Sequence, residues 1–133
     1  MADVARATAE WVGGILGVET VYGDMPGGSP ACMVKAEAAD PIVKRYLDGG
    51  CICRFSYGVY LRVRPLAGPD YELDGLAAIG LVASAVNAHE VPDIEGVRVF
   101  GHEVTNAPAL YMTEQDGGKL YQLTAEIKYY EKR

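Results

Sequence analysis

A chain of 133 residues has the length of one domain and can bury about two-thirds of its surface, so it needs no disulfide or metal staple. Half of the residues are hydrophobic and 23% are charged, which is ordinary globular usage. The net charge of −6 argues against nonspecific binding to nucleic acid or to an anionic membrane. Asp3, Arg6 and Glu10 interrupt the N-terminus, so no signal-like apolar region opens the chain. The cysteines are three, an odd number. That suits reduced, buried thiols in a cytosolic protein better than a disulfide framework.

Residues Ala2–Leu16 read as a first helix capped by Asp3. Val4, Thr8, Trp11, Val12 and Ile15 form a stripe at helical spacing, one face for docking on a sheet, with Trp11 as a core anchor. Gly17 is the expected stop. Val18–Tyr22 reads as a short extended segment, and Asp24–Pro30 as a loop by its glycines and prolines. Its GDMPGGSP run has no lysine and no following helix, so it is not a phosphate loop. Ala31–Glu37 is a short strand candidate. Asp40-Pro41 breaks regular structure, and Ile42–Leu47 reads as a helical turn or an irregular arm.

After a turn at Asp48-Gly49-Gly50, the chain alternates for fourteen residues. Cys51, Cys53, Phe55, Tyr57, Val59, Leu61 and Val63 fall on one face; Ile52, Arg54, Ser56, Gly58, Tyr60, Arg62 and Arg64 fall on the other. Such alternation predicts a single half-buried strand of roughly 45 Å, long enough for its ends to project from a compact domain. Pro65–Pro69 is a turn, and Tyr71–His89 a second helix with Asp70 at its N-cap and Glu72 in its first turn. Gly75–Ala88 carries no ionisable side chain. A helix apolar nearly all round predicts burial all round, by another subunit or by a covering loop. Val97–Thr105 is the third strand, Asn106–Lys119 a long loop or splayed hairpin with an apolar tip, and Lys119–Glu131 a last alternating strand antiparallel to the third. The expected architecture is two-layer α+β: a mainly antiparallel four-stranded sheet, two helices on one face, in the order α-β-β-α-β-β.

No catalytic or metal motif stands out. His89 and His102 belong to no His-x-x-x-His or Cys-x-x-Cys pattern. Cys51-x-Cys53 with His102 makes a poor tetrahedral chelate, and a cysteine nucleophile such as Cys32 with His102 as base is left unspecified. Lys44, Arg45, Tyr46, Arg54, Arg62 and Arg64 form the basic part of an acidic chain. They read as a solvated strand face or as a surface for an acidic neighbour, since Arg and Tyr are enriched at interface hot spots; DNA binding is the weaker third reading, because no aromatic platform or recognition helix accompanies the arginines. Leu110, Tyr111 and Met112 at the apolar tip join them as interface candidates.

The segment DPIVKRYLDGG (residues 40–50) leading into an alternating strand, then a helix, then two strands ending in IKYYEKR, resembles the minor capsid or tail-terminator proteins of bacteriophages and prophages. The resemblance implies a non-enzymatic structural protein without a cofactor. It implies a ring, with six subunits expected, that caps the tail tube, stops its polymerisation and presents a surface to the head connector. Its partners would be itself, a tail-tube protein and a head-connector protein. It would reside in the bacterial cytoplasm during assembly and then in the virion tail, with no membrane and no direct nucleic-acid contact. The alternatives are another connector component, such as a head-completion protein, or a small intracellular thiol enzyme or ligand-binding protein.

Overall fold

The computed structural model describes residues 4–25, 31–37, 42–63, 71–115 and 117–131, with side chains of 71–74 excepted. The expected cap Asp3, the loop residues 26–30, the Asp40-Pro41 break, Arg64, the 65–69 turn, the Asp70 cap and the Glu72 side chain lie outside the described residues. The elements are α1 (Val4–Leu16), β1 (Thr20–Tyr22), β2 (Ala31–Ala36), β3 (Ile42–Arg45), β4 (Cys51–Val63), α2 (Tyr71–Asn87), β5 (Val97–Thr113) and β6 (Lys119–Glu131).

The fold is α+β, but the sheet has six strands rather than four. The order is β1-β2-β4-β6-β5, with β3 beside β4 where β2 has ended. All pairings are antiparallel except β1 with β2. Three readings are corrected. Ile42–Arg45 is a strand, because pairing with Cys51–Cys53 satisfies its backbone. Residues 106–113 continue β5 rather than forming a loop, with register shifts absorbing Asn106 and Pro108. The ends of β4 do not project: all 13 residues pair with β6, from Cys51↔Glu131 to Val63↔Lys119.

The odd-numbered face of β4 carries the core. Tyr57, Val59 and Leu61 meet Ala125, Leu123 and Tyr121 of β6 across the strands. They are joined there by Cys32 and Val34 of β2 and by Val12, Ile79, Val82 and Val86 of the helices. Helix α1 packs on β1 and β2, and α2 on β4, β5 and β6. Val4, Thr8 and Val12 of the predicted stripe are buried, and Trp11 and Ile15 pack half-buried at its border. Only one side of α2 is buried: Leu76 and Leu81 on its outer side are exposed. Their cover, expected from the helix's all-round apolarity, is not supplied by any described residue.

Candidate interaction surfaces

The predicted basic and aromatic residues separate into two groups at opposite ends of β4. Arg45 pairs in register with Cys51, whereas Arg62 pairs with Leu120, which faces Met112. Eleven residues of strand separate the two ends, roughly 36 Å. Lys44, Arg45 and Tyr46 are exposed at the first end. Arg62, Leu110, Tyr111 and Met112 gather at the second, where the three β5 residues are also exposed. Arg54 lies between them, and Arg64 lies outside the described residues.

The first end is a rigid hairpin turn. The Tyr46 amide donates to the Gly50 carbonyl at 2.8 Å, and the Gly49 amide to the Tyr46 carbonyl at 3.1 Å. The Gly50 amide donates to Asp48 Oδ1 at 2.9 Å. Gly49 holds φ of 91°, where a side chain would be strained. A Cβ on Gly50 would run into the Tyr130 hydroxyl. The Tyr130 ring in turn meets Tyr46 edge-on at 6.1 Å, and Lys44 Nζ sits 5.1 Å from the Tyr46 ring centre. These contacts fix the turn and leave Leu47 at its tip with a relative exposure of 110%.

The sheet face away from the helices is a polar network. Tyr60 is only 3% exposed there. Its hydroxyl donates to Glu37 Oε1 at 2.7 Å and accepts from Gln122 Nε2 at 2.9 Å. Burial, together with the adjoining Glu37 carboxylate, pushes the phenol up to about 12. Tyr111 meets the Tyr60 ring edge-on at 5.4 Å, and Lys35 Nζ lies 5.1 Å from the centre of that ring. Arg62 Nε donates to Glu114 Oε1 at 3.1 Å. Arg54 Nε and Glu126 Oε1 are 3.3 Å apart, both buried and without hydrogen-bond geometry, so that contact is Coulombic. Arg54 and Arg62 were candidates for an acidic neighbour; their acidic neighbours are in the same chain. Sequence reasoning missed this because Glu126 and Glu114 reach them only through strand register.

The buried polar site is His102. Helix α2 ends with His89 in the left-handed region at φ of 63°, and the Glu90 amide donates back to the Ala85 carbonyl at 3.0 Å. This closing turn aims the Glu90 carbonyl at the sheet. His102 Nδ1 donates to that carbonyl at 2.8 Å, so Nε2 is left to accept from the Tyr57 hydroxyl at 2.6 Å. Trp11 closes over the imidazole with ring centres 5.1 Å apart. Burial lowers the affinity of His102 for a proton. Both nitrogens are occupied, so His102 is no base for Cys32. That thiol lies on β2, three strand spacings or about 14 Å away, and burial raises it to about 11. Cys51 and Cys53 share a side as expected, Sγ to Sγ 3.1 Å. Burial and the Cys51 thiol push Cys53 up to about 11. Among the described residues no cluster of three His, Cys, Asp or Glu side chains is arranged to hold a metal ion.

No protein-family model and no curated protein matches the chain. A solved structure does. It is a chain of a native gene transfer agent (GTA) virion particle, similar over 95% of both chains with a TM-score of 0.50 and 16% identity. At that identity the likeness shows a shared fold. No helix among the described residues is long and apolar enough to cross a membrane.

Proposed function

We propose that this chain is a structural component of a phage or prophage virion, most like a tail terminator. Copies of it would close into a ring, with six subunits expected, that caps the tail tube and joins it to the head connector. Its partners are further copies of itself, a tail-tube protein and a head-connector protein. It acts in the bacterial cytoplasm during assembly and in the virion tail thereafter. It turns over no small molecule.

The observation that carries this reading is the distribution of exposed large apolar side chains. Val21, Tyr22, Val43, Tyr46 and Leu47 lie toward one lateral edge of the sheet, and Phe100, Leu110, Tyr111 and Met112 along the other. A subunit of a head-to-tail ring needs two contact surfaces, and these two groups of side chains supply candidates for them. The fold shared with a virion chain supports the same reading. It favours the assembly role over a thiol enzyme, because His102 is engaged by Glu90 and Tyr57 and burial raises the Cys32 and Cys53 thiols to about 11. Another connector component remains the second reading, because its interfaces would use the same kind of surface.

The test is sedimentation velocity of the purified chain across concentration and salt. A discrete ring-sized species is expected. A strict monomer up to about 1 mM, where even a contact of roughly 4 kcal/mol would populate complexes, contradicts the reading.

A further inference from the structure

The two lateral edges of the sheet differ in chemistry but match in height. Arg45, Cys51, Glu131 and Val97 form one row across β3, β4, β6 and β5. The next row but one is Ile42, Cys53, Tyr129 and Val99. Beside that row each outer strand shifts register, and the extra residue is apolar and exposed: Val43 on β3 at 45%, Phe100 on β5 at 55%. The β3 edge carries two exposed cations, Lys44 and Arg45, beside the Leu47 tip, and the Oδ1 of Asp48 in the turn accepts from the Gly50 amide. The opposite edge is acidic as well as apolar. Among the described residues, Glu90, Asp93, Glu95 and Glu103 are exposed there beside Val91 and Phe100, with Arg98 an exposed cation and Lys128 half-buried beside Gly101. Among the described residues neither Lys44 and Arg45 nor these four carboxylates form an ion pair.

We propose that the β3 hairpin of one copy docks on the α2–β5 edge of the next, Leu47 and Val43 against Phe100 and Val91, Lys44 and Arg45 against the facing carboxylates. This rests on the ring reading above and names its interface. Because the two surfaces differ, the contact is head-to-tail. Because they lie on the same rows of one sheet, roughly 14 Å apart across three strand spacings, repeating the contact moves a subunit sideways with little rise. With little rise, the repeat closes into a ring when the rotation between neighbours divides a full turn, whereas a large rise winds into a filament whatever the rotation. The turn is already held by its own hydrogen bonds and by Tyr130, so little ordering is required of it on docking. Charge reversal on one side therefore removes attraction and adds repulsion.

Two variants test this: a hairpin variant, Arg45→Glu with Leu47→Asp, and an edge variant, Phe100→Asp with Glu103→Lys. Both should melt within a few degrees of the parent, since all four side chains are exposed. By sedimentation velocity each alone should be a monomer at concentrations where the parent assembles. Mixed in equal amounts they should form a heterodimer and nothing larger, because one sound hairpin still meets one sound edge. Variants that assemble as the parent does overturn this interface and leave the ring reading standing. A mixture that stays monomeric overturns the head-to-tail contact in the same way. A parent that never assembles overturns both.

Discussion

Lowering the pH should weaken the fold through His102. The imidazole is buried with Nδ1–H donated to the Glu90 carbonyl and Nε2 accepting from Tyr57, and burial lowers its proton affinity from the ordinary value of 6.5. The unfolded chain therefore takes up a proton first as the pH falls. The stability that His102 contributes is full above 6.5 and declines below it, until the folded protein is protonated too. One proton sets the upper bound of that slope at about 1.4 kcal/mol per pH unit. For a domain of this size the fall in melting temperature is then at most roughly 3–6 °C per pH unit. Urea unfolding of the parent and of His102→Gln between pH 7.5 and 5.5 measures it. The variant is less stable at pH 7.5 because it disturbs a buried polar pair. Its pH dependence over this window should be flatter than the parent's. Parallel profiles would refute the reasoning, since every other titrating group is common to both chains.

Arg62→Glu should lower stability by about 1–3 kcal/mol, because it sets a carboxylate against Glu114 beneath the Tyr60 network, whereas Arg45→Glu should not. Equal thermal shifts for the two would contradict the placement of Arg62. Gly58→Ala should cost about 1–3 kcal/mol by overpacking, since the new Cβ meets the Glu37 carboxylate and comes 2.8 Å from the Tyr60 ring. An unchanged urea midpoint would show that ring and carboxylate can move aside. A disulfide reagent at pH 8 should titrate far fewer than three thiols in the native chain and all three in urea, because burial holds Cys32 and Cys53 at about 11. Three fast native thiols would mean that β2 and β4 open readily.

What the sequence made legible follows from which interactions are local. The alternation of β4 and of β6 is written in single residues, and both strands lie where their side chains say, with Tyr57, Leu61, Leu123 and Ile127 inward. The stripe of α1 was readable for the same reason. Strand β3 was not, because four residues after Asp40-Pro41 have no periodicity to show; they become a strand only through β4. The continuation of β5 was hidden by Asn106 and Pro108, which break central strands but are tolerated at a sheet edge with shifted register. Among the candidate surface residues, Lys44, Arg45, Tyr46, Leu110, Tyr111 and Met112 are exposed as their sequence context implied. Arg54 and Arg62 differ because a charge's partner is set by register across the sheet. Leu47 and Phe100, among the described residues the most exposed large apolar side chains of the two edges, are exposed because one tips a turn and the other sits at a register shift, which no local sequence pattern announces.

On the proposed function, this chain works by fitting against copies of itself. Electron microscopy of the purified chain, concentrated until sedimentation detects association, tests it most directly. Closed rings of one fixed subunit number, lost together in the Arg45→Glu, Leu47→Asp chain, are the expected images. Isolated particles of single-subunit size, or open filaments without rings, would contradict it.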